Sequence, residues 1–180
     1  KVGPTVAQDI KMGALWAVLL SLVGIFIYIL IRFQKWQYGL GATIALAHDT
    51  MIVIGLFSIF YGILPFSLEI DQAFIAAILT VIGYSINDTV VVFDRMREYL
   101  KIHHGAKVEL VINDAINNTL SRTTITSLTT LISVVVLFIF GGDVLKGFSF
   151  ALLVGITVGT YSSIFIAAPL VIDFGKKKKE

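Results

Sequence analysis

GYSINDTVVVFDR, residues 83–95, decides the fold, because it ends a long apolar run that carries a carboxylic acid in its interior. Between Gln72 and Phe93 the only charged side chain is Asp88. A run of about 20 mainly apolar residues is long enough to cross a membrane as a helix. A carboxylate inside such a run is costly to bury and is usually paired or functional. We therefore interpret 72–93 as a membrane span and Asp88 as a candidate functional group.

The composition indicates an integral membrane protein. The 180 residues are 57% hydrophobic and 14% charged, whereas soluble domains carry about 25% charged residues. The absence of cysteine excludes disulfides and thiolate chemistry. No glycine-rich nucleotide loop and no nucleophile elbow occurs, so we expect no enzyme activity, and ATP would have to act through another protein. We also expect no nucleic acid partner.

The apolar runs predict an all-α integral membrane fold with five transmembrane helices. The spans lie at about 12–31, 39–64, 72–93, 123–142 and 147–172. Residues 94–122 are richer in charge and predict a cytoplasmic loop. Within this loop the apolar residues recur at helical spacing between Lys107 and Leu120, which predicts a separate short amphipathic helix at the surface.

The positions of the basic residues predict the orientation. Of the 14 lysines and arginines, only Lys1, Lys11 and Lys146 lie on one side of the five spans. Because short cytoplasmic loops are enriched in Lys and Arg, we expect the N-terminus to be periplasmic and the C-terminus to be cytoplasmic. The basic tail, 173–180, would then contact lipid headgroups and help to hold the orientation. A specific partner site is the alternative for its lysines.

Small residues recur at every fourth position of the fifth span. They are Ala151, Gly155, Gly159, Ser163 and Ala167. One face of this helix is therefore flat enough for another helix backbone to approach closely. We expect a helix-packing face there, with a substrate groove as the alternative.

Asp88 has candidate partners on its own helix and on the next one. Tyr84 and Ser85 precede it by four and three residues and so share its face. Arg122 opens the fourth span at a compatible depth, and Thr126 continues a line of hydroxyls below it. The group either changes protonation and carries protons, or forms a permanent ion pair that pins two helices. Arg122 is either its partner or a residue that extends to the headgroups.

Asp49 is a second acid, near the middle of the second span, with His48 beside it. It either takes part in proton transfer or pins the bundle through hydrogen bonds. A metal site lacks a third ligand at useful spacing, so we expect no metal. An intramembrane aspartyl protease would need two acids at matched depth and a Gly-x-Gly-Asp motif, and Asp88 instead follows Ile86 and Asn87.

Four motifs together resemble the SecF family. They are residues 83–98, which include the opening stretch, then 47–49 (AHD), 118–127 (NTLSRTTITS) and 141–142 (GG). The resemblance implies a membrane fold of the resistance-nodulation-division (RND) type. A complete SecF half would have six spans with a periplasmic domain between the first and second. This chain would then hold the last five, and residues 1–11 would lead in from the periplasmic domain.

The resemblance also implies a function. The family is thought to use proton flow to promote preprotein translocation by the Sec machinery across the bacterial cytoplasmic membrane. Its proton-path acid matches Asp88 and its essential arginine matches Arg122. The implied partners are a SecD half, the SecY/SecE/SecG translocon, YajC, the preprotein and membrane lipids, with protons as the coupling ion and no other cofactor. Both a separate SecF and a fused SecDF agree with the motifs.

Two other functions remain open from the residues. One is a proton-coupled RND-type small-molecule exporter, which would show substrate-dependent proton flux without any translocon. The other is a non-transporting scaffold of the translocon, for which loss of the Asp88 carboxylate would leave export unchanged. The surface that contacts the preprotein is expected in the periplasmic domain.

Overall fold

The computed structural model describes the backbone of residues 4–103 and 105–176, and the side chains of 8–103 and 105–175. Part of the predicted lead-in, His104 and the lysine side chains of the predicted tail lie outside these described residues. Within them the chain forms α1 (Pro4–Phe33), α2 (Trp36–Phe60), α3 (Gln72–Ile102), α4 (Val108–Phe140), α5 (Asp143–Ser162), a π-helical segment (Ser163–Ala167) and α6 (Ala168–Lys176).

The predicted all-α membrane fold is confirmed. The described residues contain no strand, and five helices are long and apolar enough to cross a membrane. The last of these is composite, because α5, the π-helical segment and α6 run on without a break as Asp143–Gly175. Pro169 stands just after the π-helical segment. Proline has no N–H and its ring crowds the carbonyl four residues earlier, so a wider turn before it relieves the clash.

The predicted separate amphipathic helix is wrong in one respect, since it forms the first turns of α4. The helix runs from Val108 to Phe140, and the connection expected over 94–122 shortens to 103–107. The reason lies in the buried face of α4, which continues without a change of phase through Val111, Ala115, Thr119, Thr123 and Ser127. Residues four apart share one face of a helix, so packing against α3 favours one straight helix.

Helix α5 lies at the centre of the bundle and packs against α2, α3 and α4, whereas α1 packs against α2 and α3 at the edge. The apolar core forms two clusters. One contains Phe33, Tyr38, Phe93 and Met96, and the other contains Phe57, Phe74, Ile78 and Leu152. The first cluster lies where α1 ends and α2 begins, which we call the basic end.

Candidate functional site: a polar layer inside the bundle

A layer of buried and half-buried polar side chains separates the two apolar clusters. Its members come from four helices and are Asp49 of α2, Ser85 and Asp88 of α3, Ser127 of α4, and Thr160 and Ser162 of α5. Asp49 is 0% exposed and Asp88 is 3% exposed. Buried carboxylates require hydrogen-bond or charge partners, because burial removes their hydration. The two acids obtain these partners in different ways.

Both carboxylate oxygens of Asp49 have hydrogen-bond partners. Ser85 donates to its Oδ2 at 2.8 Å, and Ser162 donates to the same oxygen at 2.7 Å. The other oxygen lies 3.2 Å from Nδ1 of the half-buried His48. These contacts join α2, α3 and α5 at one point. Asp49 can therefore pin the bundle through hydrogen bonds.

Gly159 makes this arrangement possible. A Cβ atom at Gly159 would stand 2.9 Å from both Cβ and Oγ of Ser85, and 3.5 Å from Oδ2 of Asp49. One turn earlier, a Cβ at Gly155 would stand 2.6 Å from Cγ1 of Val81. The predicted small-residue face thus lies directly against α3. Ala151 is buried on the same side, and Ser163 is also buried, with its hydroxyl donating to the carbonyl of Thr160.

Asp88 is held by one weak contact. Ser127 donates to its Oδ2 at 3.3 Å, a long distance for an O–H···O bond. Oγ of Ser127 also lies 2.6 Å from Oγ1 of Thr160, and Thr160 donates to the carbonyl of Ile156 at 2.8 Å. Hydroxyls of α4 and α5 therefore extend from the carboxylate across three helices.

This chain of hydroxyls has two possible directions. A serine or threonine hydroxyl has one proton to donate. When Asp88 is ionised, Ser127 gives its proton to the carboxylate and accepts from Thr160. When Asp88 is protonated, it donates to Ser127, which donates to Thr160, which donates to Ile156. The protonated state uses all three contacts, whereas the ionised state uses the first two and gives up the bond from Thr160 to Ile156. A change of protonation at Asp88 therefore reorders hydrogen bonds on α3, α4 and α5.

The remaining predicted site residues lie in other surroundings. Arg122 is on the exposed side of α4. No ion pair joins it to Asp88 among the residues the structure describes. Tyr84 donates to Oγ1 of Thr130 at 3.3 Å. Thr126 donates to the carbonyl of Arg122 on its own helix at 2.9 Å. Ser85, which we expect beside Asp88 from the sequence, donates its hydrogen bond to Asp49 instead.

Three residues of the layer do not follow from the sequence reasoning: Ser127, Thr160 and Ser162. A signal for Ser127 exists, because it continues the four-residue spacing of Thr119 and Thr123 on the buried face of α4. The predicted line of hydroxyls passes through Thr126, one residue before Ser127, and lies on a more exposed face of α4. For Thr160 and Ser162 the signal is weaker, namely a group of hydroxyls just after Gly159.

Known proteins share this sequence and fold. A family model described as protein export membrane protein SecD/SecF, C-terminal, matches residues 1–177. The chain is 63% identical over 172 residues to the protein translocase subunit SecF of Rhodothermus marinus, covering 96% of this chain and 56% of that protein. It is 48% identical over 179 residues to the protein translocase subunit SecDF of Brucella abortus, covering 99% of this chain and 23% of that protein.

The three-dimensional comparison agrees with the sequences. The fold is similar to the crystal structure of SecDF, a translocon-associated membrane protein, from Thermus thermophilus, with a TM-score of 0.85 and 43% identity. The match covers 97% of this chain and 23% of that chain. The chain thus spans about half the length of the SecF relative and a quarter or less of the SecDF relatives. It belongs to the SecD/SecF family of protein export membrane proteins and corresponds to the C-terminal membrane part of SecF.

Proposed function

We propose that this chain is the membrane-embedded part of a SecF-type subunit that uses proton flow to promote preprotein translocation across the bacterial cytoplasmic membrane. The observation that carries the proposal is the environment of Asp88, which is buried but accepts only the 3.3 Å bond from Ser127 among the described residues. The names of the relatives, protein translocase subunits SecF and SecDF, support the translocation part. Asp88 supports the proton part.

The contacts favour a changeable protonation state at Asp88 over a static ion pair. A permanently charged carboxylate in a membrane interior needs close compensation, normally a cation at hydrogen-bond distance. Arg122 does not supply it at that distance in the described chain. A protonated acid, by contrast, is satisfied by donating to Ser127. In this arrangement the neutral acid is the better satisfied state, so Asp88 would lose its proton only when its surroundings change, as a proton carrier requires.

Asp49 has a supporting part in this proposal. Its two serine donors and His48 satisfy both carboxylate oxygens. Such an acid holds helices in place more readily than it exchanges protons. Ser85 bonds to Asp49 and lies one turn from Asp88 on α3, so movement of either acid would be transmitted to the other through that helix.

The proposed partners follow from the relatives. SecDF relatives carry both names in one chain, which supports a SecD half as the immediate partner of this one. The SecY/SecE/SecG translocon, YajC and the translocating preprotein are proposed on the same family basis. The cytoplasmic membrane is proposed on that family basis too, and the distribution of Lys and Arg supports an orientation with the basic end facing the cytoplasm.

The test uses the full-length protein with its SecD half in inverted membrane vesicles. Asp88→Asn keeps the size of the side chain but removes its titration, so we expect it to abolish the proton-gradient-dependent part of translocation. Asp114→Asn is the matched control, because Asp114 is exposed on α4 and no contact to the polar layer involves it. The measurement is the rate of preprotein completion with the gradient intact and then collapsed.

The outcomes separate the candidate functions. Loss of gradient dependence in Asp88→Asn alone, with normal assembly, supports proton-driven translocation. Unchanged export in the assembled Asp88→Asn complex would contradict the proposal and favour a scaffold. Proton flux driven by a small molecule in liposomes without the translocon would favour an exporter.

A further inference from the structure

Two adjoining cavities lie at the basic end of the bundle, away from the polar layer. The larger has a volume of about 840 Å³ and the smaller about 390 Å³. They share Gln34, Lys35, Tyr38 and Leu100 in their walls. They therefore adjoin along this shared wall, near the α1–α2 connection and the end of α3, and the start of α4 borders the larger one.

The smaller cavity is basic. Lys35, Arg97 and Lys101 line it, and no acidic side chain does. Across 8–103 and 105–175, none of these three cations forms an ion pair with a carboxylate. Arg97 donates instead to the carbonyl of Arg32 at 3.3 Å, which holds its guanidinium at the cavity wall. Three cations without a carboxylate partner favour an anion between them.

The larger cavity is mainly apolar. Leu30, Ile112, Val171 and Ile172 line it, while Glu109 contributes an acid at its edge. Trp36, which is 43% exposed, stands at its wall. Tryptophan is enriched at the level of lipid headgroups. Trp36 is the first residue of α2, which is long enough to cross a membrane, so the basic cavity lies at headgroup level.

The turn between α1 and α2 brings the two cavities together. Gln34 has φ 57°, an uncommon left-handed value for a residue other than glycine. Its N–H donates to the carbonyl of Leu30 at 2.8 Å and ends α1. The chain therefore reverses within two residues, and Gln34 and Lys35 line both cavities.

We propose that the two cavities bind one anionic phospholipid, with its phosphate among Lys35, Arg97 and Lys101 and an acyl chain along the apolar cavity. Basic pockets between transmembrane helices bind the headgroups of anionic lipids. The apolar cavity distinguishes this ligand from a free anion, which would gain nothing from Leu30 or Ile172. The site is independent of proton movement at Asp88.

The experiment uses the full-length protein with its SecD half, reconstituted into phosphatidylcholine vesicles with a trace of photoactivatable phosphatidylglycerol. A parallel sample carries photoactivatable phosphatidylcholine. After illumination, mass spectrometry locates the labelled peptides. We expect labelling of residues 34–38 and 97–101 to be at least about tenfold stronger with the anionic probe, since three basic residues attract the anionic headgroup there.

Matched double variants separate a built site from general surface charge. Lys35→Gln with Lys101→Gln removes two exposed cations of the cavity, and we expect labelling there to fall about tenfold or more. Arg95→Gln with Lys107→Gln removes the same charge at the same end, from residues outside both cavities, and labelling should stay within about twofold.

Three results would overturn the proposal. They are equal labelling by the two lipids, an equal loss of labelling in both double variants, and suppression of labelling by excess inorganic phosphate. The last result would indicate a site for a soluble anion, because phosphate cannot occupy the apolar cavity.

Discussion

Thr126 and Ser127 are neighbours in the sequence, but their hydroxyls meet different surroundings. Thr126 bonds to its own helix, whereas Ser127 reaches Asp88 on α3 and Thr160 on α5. Consecutive residues point about 100° apart on a helix, so only one of the two can face the acid. The role of a hydroxyl in this site is therefore decided by the rotation of α4.

This difference predicts the effect of two similar substitutions. Ser127→Ala removes the donor to Asp88, and a typical hydrogen bond contributes about 0.5–1.5 kcal/mol. We expect it to slow gradient-dependent translocation about threefold to tenfold, measured in vesicles with the full-length protein and its SecD half.

Thr126→Ala is the control, because it removes only a bond to the carbonyl of Arg122, and its rate should stay within about twofold. Ser127→Thr retains the hydroxyl and should restore most of the rate. Equal effects of Ser127→Ala and Thr126→Ala would contradict a specific contribution from Ser127.

At the scale of elements, α5 is the helix that positions the site. It carries the two glycines that allow α3 to approach, and the hydroxyl of its Ser162 donates a hydrogen bond to Asp49. Its composite course through the π-helical segment brings the region around Ala167 against α2, where a Cβ at Gly41 would lie 3.0 Å from the carbonyl oxygen of Ala167. Close backbone approach of this kind is how small residues stabilise helix pairs in lipid.

Gly155→Ala and Gly159→Ala are predicted to destabilise the protein. The added methyl groups would overlap Val81 and Ser85, and overpacking of a close contact costs about 1–3 kcal/mol. The measurement is the midpoint of thermal unfolding of the full-length protein in detergent, with the fraction of folded material as a second readout.

Gly55→Ala provides the matched control within α2, because a Cβ at Gly55 would meet nothing within 4 Å. Alanine is a better helix former than glycine by about 1 kcal/mol, so this variant should be neutral or slightly more stable. A similar loss for Gly55→Ala and Gly155→Ala would contradict the view that contact with α3 governs the effect.

At the scale of the whole molecule, the five membrane-crossing helices place the α1–α2 and α3–α4 connections at the basic end, and the α2–α3 and α4–α5 connections at the other end. Arg32, whose Nη2 donates to both carboxylate oxygens of Asp94 at 3.0 Å, ties α1 to α3 at the basic end. Both side chains are more than 40% exposed, so we expect this pair to contribute about 1 kcal/mol or less to stability.

The orientation can be tested cleanly, because the chain has no cysteine. Lys107→Cys places a thiol at the basic end, and Asp143→Cys places one at the opposite end, where the Asp143 side chain is 87% exposed. In intact spheroplasts we expect a membrane-impermeant maleimide to label Asp143→Cys at once. Lys107→Cys should react only after permeabilisation, since we propose that the basic end faces the cytoplasm. The reverse pattern would contradict the proposed orientation.

The sequence by itself determined the membrane class, the five spans and the family, and it singled out Asp88 as a candidate functional group. The membrane class and the spans depend on the transfer of side chains from water to lipid, and the family depends on the order of the motifs. Both can be read from the linear sequence. The continuity of α4 could also have been read, from the unbroken spacing of Val111, Ala115 and Thr119, but the charged residues between them favoured a surface helix instead.

Only the tertiary structure decided which polar groups meet. Ser85 lies three residues from Asp88 in sequence yet donates to Asp49, and Thr160 reaches the Asp88 cluster from a helix that hydropathy describes only as apolar. Such pairings depend on how each helix is rotated about its axis and how closely its neighbours approach. In this bundle Gly155 and Gly159 set that approach, and the absence of their side chains allows α3 and α5 to share a polar layer.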